Sequence, residues 1–218
     1  MKNRYLEPSF FIDSSHENVA TFAEKHYSPN DSETERAVKL YYAVRDGFKY
    51  NPYCLDFKKE SLKASYLLEK NEAYCVEKAI ILAAIYRYSG LPARLGFGIV
   101  KNHIGSKKLE QFLQTNLLVF HGYTEVWLNN KWVKATPAFN KELCQILGVP
   151  ALDFNGKEDS VFQKYKASGS LYMEYVHDYG RFSDLPYNKF ISELKKHYSK
   201  LFESKYFDKK NKTVCYEG

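Results

Sequence analysis

The chain has 218 residues, a length that predicts one domain with a sizeable buried core. Its 32 basic and 26 acidic side chains give a net charge of +6, but the positive charges are dispersed, whereas nucleic-acid binding needs a clustered basic patch. No stretch reaches the roughly 18 apolar residues of a membrane span, and the N-terminal residues include no apolar signal core. We therefore expect a cytoplasmic protein that binds neither nucleic acid nor membrane.

The four cysteines, Cys54, Cys75, Cys144 and Cys215, stand far apart in the sequence. None belongs to a C-x-x-C pair, so the spacing predicts neither a zinc framework nor another metal site. Reduced thiols are expected in a cytoplasmic protein. Nothing in the sequence indicates a cofactor.

The N-terminal part of the chain predicts three helices before a central one. The first covers residues 15–26. The second begins at Ser32, where Ser32 and Glu35 have the spacing of a capping box, and it ends at Gly47. The third runs from Ser61 to Leu68.

The central helix is predicted over Val76–Tyr86, where nearly every residue is apolar. A helix that is hydrophobic on all sides belongs inside the core. Gly90 and Pro92 terminate it, and the residues from Ala93 to Val100 predict a strand.

The second half of the chain predicts an antiparallel sheet. Leu117–Leu128 and Lys131–Thr136 are expected to form a hairpin around the turn Asn129-Asn130. Helices followed by antiparallel strands indicate an α+β fold in which a buried central helix packs on the sheet. The remaining segments are expected to be a polar loop over 102–110, a turn at Asn155-Gly156, a strand over 169–179, an amphipathic helix over 188–202 and a loose tail after Lys205.

Cys75 immediately precedes the apolar body of the central helix. Unpaired backbone N–H groups and the helix dipole at such a position favour thiolate over thiol. The alternative is a buried cysteine that only packs as a small hydrophobic side chain. A base elsewhere in the chain is needed to decide between the two.

His121 is the candidate base. A tight turn at 129–130 places Trp127 opposite Trp132 and Glu125 opposite Lys134, both of which are stabilising kinds of cross-strand pair. His121 then lies diagonal to Thr136 on one sheet face, with Cβ atoms about 7–8 Å apart. This arrangement is typical of the base in a Cys-His dyad, although a structural histidine would give the same pattern.

Several motifs around these residues resemble the transglutaminase-like core, which is circularly related to the papain-like cysteine proteases. The resemblance covers about residues 35–140. It rests on the segments Tyr42–Tyr50, Ala73-Tyr74-Cys75, Gly90-Leu91-Pro92-Ala93-Arg94 and His121-Gly122-Tyr123-Thr124-Glu125-Val126. It implies that Cys75 is the nucleophile and His121 the base.

The sequence departs from the family pattern at two positions. The family usually has aspartate where this chain has Thr136, and a threonine hydroxyl can orient an imidazole but adds no negative charge. Asp153 or Glu125 could take over the aspartate's role, or the enzyme could be impaired. The second departure is Ala73, where the family commonly has glycine.

The resemblance implies a cysteine hydrolase, either a protease or an amidase, that acts by acyl transfer on a peptide or protein substrate. Deglycosylation and cross-linking also occur in the family, but calcium-dependent cross-linking is disfavoured because the chain has no acidic loop of calcium-ligand type. The alternative is a non-catalytic peptide-binding module of the same fold, which Thr136 favours. We expect one domain over residues 1–218, with 141–218 as an extension of the core. The substrate and the oligomeric state stay open.

Overall fold

The computed structural model describes residues 3–103, 107–161 and 173–216, and its architecture is α+β, as predicted. Its α-helices are α1 Glu17–His26, α2 Glu33–Gly47, α3 Ala64–Leu67, α4 Cys75–Tyr88, α5 Lys107–Leu113, α6 Lys141–Leu147, α7 Tyr187–His197 and α8 Ser199–Glu203. Its strands are β1 Lys49–Tyr50, β2 Cys54–Asp56, β3 Glu72–Ala73, β4 Ala93–Asn102, β5 Leu117–Leu128, β6 Lys131–Ala135, β7 Met173–Phe182, β8 Phe207–Asp208 and β9 Thr213–Cys215.

The central helix α4 is the core of the molecule. Every residue from Cys75 to Arg87 is buried, because α1, α2 and α3 pack on one side of α4 and strand β5 packs on the other. The helix is followed by Gly90, whose φ of +80° lies in the left-handed region that favours glycine. These observations confirm the sequence prediction for this element.

The main sheet has four antiparallel strands in the order β6-β5-β4-β7. The β5–β6 register pairs Trp127 with Trp132 and Glu125 with Lys134, as predicted, and the two indole rings meet edge to face at 5.4 Å. Asn129 and Asn130 both have positive φ, which a type I′ turn requires. The predicted hairpin is therefore confirmed.

A β-bulge interrupts β5 just before His121. The pairing with β4 shifts between Gly98, which faces His121, and Val100, which faces Leu118. Within the bulge Phe120 has a φ of +59°, which is rare and costly for a bulky side chain. The surrounding aromatic rings hold it there; these are Phe97, Tyr179 and Phe190. The bulge therefore fixes how the strand presents His121.

Lys78 is a fully buried cation on α4. Its ammonium donates to three backbone carbonyls, those of Arg45, Phe48 and Ala138, at 2.8–2.9 Å. Burial lowers the pKa of Lys78 to about 7, while the three carbonyls are the acceptors that an ammonium needs. The side chain ties the end of α2 to the segment that follows β6.

Replacing Lys78 by methionine should destabilise the fold. The new side chain has a similar volume, but it leaves three buried carbonyls without their donor, which costs roughly 2–4 kcal/mol. Urea unfolding of Lys78→Met measures this loss. The matched control is Lys39→Met on α2, which removes only an exposed contact to Asp31 and should cost far less. Equal losses in the two variants would contradict the anchoring role.

Several sequence predictions differ from the structure. The segment predicted as a polar loop contains α5, and the predicted tail forms β8 and β9 instead of remaining loose. The helix predicted from Ser61 is only a 3-10 turn followed by α3, and the C-terminal amphipathic helix divides into α7 and α8. The elements that were missed are too short for periodicity to reveal. The last predicted strand is present as β7, while 169–172 lie outside the described residues.

The described part of the chain has neither a helix suited to crossing a membrane nor a cluster suited to binding a metal ion. None of its helices combines the length and the apolar character required to cross a bilayer. Over the same residues, no group of three or more histidine, cysteine or acidic side chains is arranged to hold a metal ion.

Candidate active site

Cys75 is the first residue of α4, and only 7% of it is exposed. The backbone N–H groups of Gly122 and Val76 and the Tyr50 hydroxyl are close enough to its sulfur to lower the pKa of the thiol, although burial raises it more. The helix start therefore surrounds the thiol with donors, as its position in the sequence suggested. Tyr50 was not predicted as a site residue, and among 19 tyrosines nothing in the sequence singles it out.

The first turn of α4 is fixed by Glu77. This buried carboxylate accepts the Tyr74 N–H at 3.1 Å and pairs with Lys70 at 2.8 Å. It satisfies a backbone donor at the helix start, which is the role of an acidic residue three positions after the N-cap. Because Cys75 lies between Tyr74 and Glu77, this contact also holds the backbone of Cys75.

Gly122 allows α4 and β5 to approach closely at the site. A Cβ on this residue would lie 3.0 Å from the Val76 Cα and 3.3 Å from the Cys75 carbonyl oxygen. Thr124, two residues on, donates to the Ala79 carbonyl at 2.9 Å, so this face of β5 packs on the helix. Because successive side chains of a strand point to opposite faces, the side chain of His121 projects from the face of β5 opposite to α4.

The thiol lies at the edge of β5, between the two faces of the sheet. Trp127 donates to the Pro92 carbonyl, so the alternating ladder directs the N–H of Gly122 away from β4. On that side β6 has already ended at Ala135, and the sulfur of Cys75 lies near this N–H. The sulfur is therefore level with the peptide that joins His121 to Gly122.

His121 and Thr136 share a face, and Tyr175 of β7 contacts both. His121 is fully buried, and its ring meets the ring of Tyr175 edge to face at 6.3 Å. The Tyr175 hydroxyl lies near the hydroxyl of Thr136, which is buried, although the two do not form a hydrogen bond. Tyr41 anchors the Thr136 backbone by donating to its carbonyl at 3.1 Å. Tyr175 had no role in the sequence prediction.

Burial controls the protonation of the pair. It raises the pKa of Cys75 to about 11, although the surrounding N–H groups and the Tyr50 hydroxyl oppose this. It also lowers the pKa of His121 to about 3. In this closed state both groups are neutral at pH 7. The expectation of a thiolate at the helix start is therefore wrong for this state, because desolvation outweighs the helix terminus.

Removing the Tyr175 ring should lower the pKa of Cys75. In Tyr175→Ala, water reaches the site and the thiol pKa should fall from about 11 towards the value of an exposed cysteine. Each unit of that fall raises the thiolate fraction at neutral pH about tenfold, and alkylation of Cys75 by iodoacetamide becomes faster by a somewhat smaller factor because a less basic thiolate is a weaker nucleophile. Mass spectrometry of the peptide that contains Cys75 measures the alkylation rate across a pH series. The control is Tyr175→Phe, which keeps the ring; an alanine variant with the wild-type profile would contradict the covering role.

Neither carboxylate proposed as a substitute for the missing aspartate serves His121. Asp153 is 83% exposed and pairs with Arg45 at 3.2 Å. Glu125 is buried between Arg94 at 2.5 Å and Arg181 at 3.0 Å. Glu125 lies opposite Lys134 as predicted, but its ion-pair partners are the two arginines.

A cavity of about 360 Å³ opens on the His121 face of the sheet. Its lining includes the aromatic rings of Tyr123 and Tyr175 and the polar side chains of Lys134, His177 and Asp178. Tyr175 both lines this cavity and lies edge to face with His121.

One protein-family model matches the chain. The model of the Transglutaminase-like superfamily matches residues 20–137, more than half of the chain. No curated protein matches the chain.

One solved structure with similarity to the chain is a protein from Cytophaga hutchinsonii described provisionally as a cysteine protease. It is 14% identical over a match with a TM-score of 0.46. The match covers 61% of this chain and only 40% of the other protein.

Proposed function

Because the chain belongs to the transglutaminase-like superfamily, we propose that it is a cysteine hydrolase, a protease or amidase that acts by acyl transfer on a peptide or protein substrate. The observation that carries this proposal is the placement of Cys75. Its sulfur lies at the start of a buried helix, against the backbone N–H of the residue that follows His121. A nucleophile beside its base at a helix terminus is the arrangement that acyl transfer needs.

In the proposed reaction, the neutral imidazole of His121 takes the Cys75 proton as the sulfur attacks a substrate carbonyl. The carbon–sulfur bond forms, and the carbonyl oxygen becomes an oxyanion. When that intermediate collapses, the carbon–nitrogen bond breaks and His121 returns the proton to the leaving amine. Water then attacks the thioester with His121 as base, which releases the acid and restores the thiol.

Two donors are available for the oxyanion. The backbone N–H of Cys75 points out of the start of α4, and the Tyr50 hydroxyl interacts with the Cys75 sulfur. Because the oxyanion forms on the carbon bonded to that sulfur, the same donors can reach it. We assign the Tyr50 hydroxyl as the second donor, which the sequence could not identify.

Tyr50→Phe should slow acylation with little effect on the fold. Loss of one oxyanion donor typically lowers the rate about 10²–10³-fold. The rate of acetylation of Cys75 by p-nitrophenyl acetate measures the effect. Tyr53→Phe, a change to a nearby tyrosine that packs on Phe112, is the matched control. If the two variants react alike, Tyr50 is not an oxyanion donor.

Thr136 has a supporting role in this proposal. Its buried hydroxyl lies near the hydroxyl of Tyr175, whose ring is edge to face with the ring of His121 at 6.3 Å. The two side chains therefore position the imidazole without a negative charge. An imidazolium gains less stabilisation from a hydroxyl than from a carboxylate, so the dyad should work more slowly than an aspartate-supported one.

Trapping of an acyl-enzyme tests the proposed function. p-Nitrophenyl acetate presents a reactive acyl group and requires no knowledge of the natural substrate. We expect release of p-nitrophenolate together with acetylation at Cys75, which mass spectrometry of the intact protein and its peptides locates. Acetylation only at surface lysines or at the exposed Cys54 and Cys215, with Cys75 unmodified, would refute the proposal.

A non-catalytic peptide-binding module is the second candidate. The neutral states of Cys75 and His121 and the presence of Thr136 favour it, because no charged dyad exists in the closed state. Such a module would bind peptides in the cavity beside Tyr175 and leave Cys75 unacylated. The same trapping experiment therefore separates the two candidates.

A further inference from the structure

Two exposed cysteines face each other on neighbouring strands of the small three-stranded sheet. Strand β9 lies between β2 and β8, and its pairing with β2 places Cys54 directly opposite Cys215. Residues directly opposite each other in an antiparallel pair point to the same face. The sequence, in which the two cysteines are far apart, did not suggest this pairing.

The backbone hydrogen bonds between β2 and β9 show whether Cys54 and Cys215 form a hydrogen-bonded or a non-hydrogen-bonded cross-strand pair. Tyr216 donates to the Tyr53 carbonyl, and Phe57 donates to the Lys212 carbonyl. Because bonded and non-bonded pairs alternate along the ladder, Cys54 and Cys215 form a non-hydrogen-bonded pair. Such pairs have Cα atoms about 4.5 Å apart, within the range of about 4.4–6.8 Å that a disulfide spans.

The pair is also accessible to reagents. Leu55 and Val214, the neighbouring pair, are buried in the core, so the alternate face that carries Cys54 and Cys215 is turned to solvent. Cys75 and Cys144 are buried. A soluble oxidant therefore meets the facing pair first.

We propose that Cys54 and Cys215 are a thiol-modification site that closes to a disulfide by exchange with a small disulfide such as oxidised glutathione. One protein thiolate attacks oxidised glutathione, forms a mixed disulfide and releases one glutathione. The second protein thiolate attacks the cysteine sulfur of that mixed disulfide, forms the Cys54–Cys215 bond and releases the second glutathione. The pair loses two electrons and two protons, and oxidised glutathione gains them.

The proposed disulfide would link β9 covalently to β2, which precedes the candidate nucleophile Cys75 in the chain. Both cysteines line a cavity of about 520 Å³ together with Asn51, Glu72 and Glu77. Asn51 donates to Glu72 at 2.5 Å, and Glu77 holds the first turn of α4. Closure of the bond joins the last described strand to this region, and reduction frees it.

The test is titration of the full chain with mixtures of reduced and oxidised glutathione, followed by non-reducing peptide mapping. We expect a cross-linked peptide pair that contains Cys54 and Cys215, a mass loss of two hydrogens, and Cys75 and Cys144 unchanged. The oxidised form should melt about 10 °C higher, because the bond closes a long loop of chain. Stable glutathione adducts on both cysteines without a cross-link would overturn the proposal.

A variant with the thiol moved along the strand gives a matched control. In Cys54→Ser with Asp56→Cys, the new thiol stays on the same face but lies diagonal to Cys215, with Cβ atoms about 7–8 Å apart instead of the about 3.8 Å of a disulfide. We expect this variant to form glutathione adducts but not the intramolecular disulfide. Closure as efficient as in the wild type would show that the register does not determine the reaction.

Discussion

Cys75→Ala should abolish acetylation by p-nitrophenyl acetate at the candidate site and turnover of any natural substrate. The variant lacks the sulfur that would form the thioester at this site, so the loss of acetylation there should reach at least about 10³-fold. Intact-protein mass spectrometry and p-nitrophenolate release measure it together. The substitution removes one buried atom, so we expect the fold and its unfolding midpoint to change little.

The control for this experiment is Cys144→Ala. Cys144 is also a buried thiol near the first turn of a helix, but its sulfur contacts the Phe139 carbonyl instead of backbone donors. We expect wild-type acetylation in this variant. Undiminished activity in Cys75→Ala would end the catalytic interpretation, whatever the control shows.

His121→Gln should slow acylation about 10²–10⁴-fold at neutral pH, which is the usual contribution of a general base. The thiol pKa of about 11 predicts a distinctive pH dependence. As the pH rises towards that value, the thiolate forms without a base, so the variant should approach the wild-type rate. Acetylation rates from pH 7 upwards measure this convergence.

Two further variants make this result specific. His177→Gln changes an imidazole that lines the cavity beside Tyr175 and should leave the rate nearly unchanged. Thr136→Val removes the hydroxyl beside Tyr175 and should cost only about tenfold, because that hydroxyl contributes no charge. If the ratio of the acetylation rates of the wild type and His121→Gln stays constant with pH, His121 does not remove the thiol proton.

The parts of the fold that the sequence predicted have strong periodic or turn signals. The all-apolar run after Cys75, the capping box at Ser32 and the turn at Asn129-Asn130 each reflect local physics that a few residues express. The hairpin register followed from the turn, and it placed His121 and Thr136 on one face. These local signals were enough to identify the family.

The parts that it did not predict depend on contacts between distant segments. Tyr50 and Tyr175 reach the candidate site from strands on either side of it, and no spacing rule connects them to Cys75. The raised thiol pKa likewise arises from burial by the whole fold, while the helix start alone predicts the opposite direction. Strands as short as β8 and β9 have too few residues for an alternating pattern to be recognised.

The pairing of β2 with β9 also affects how the protein folds during synthesis. Residues 54–56 leave the ribosome early, but their partner in the sheet, Thr213–Cys215, is among the last described residues of the chain. The central helix and the hairpin rely on shorter-range contacts and can form first, whereas this pairing must wait for the rest of the chain. In the interval, the edge of β2 and the side chain of Leu55 lack their native cover. A nascent chain that stalls before residue 213 would therefore expose β2 as an unpaired, aggregation-prone strand beside an otherwise folded core.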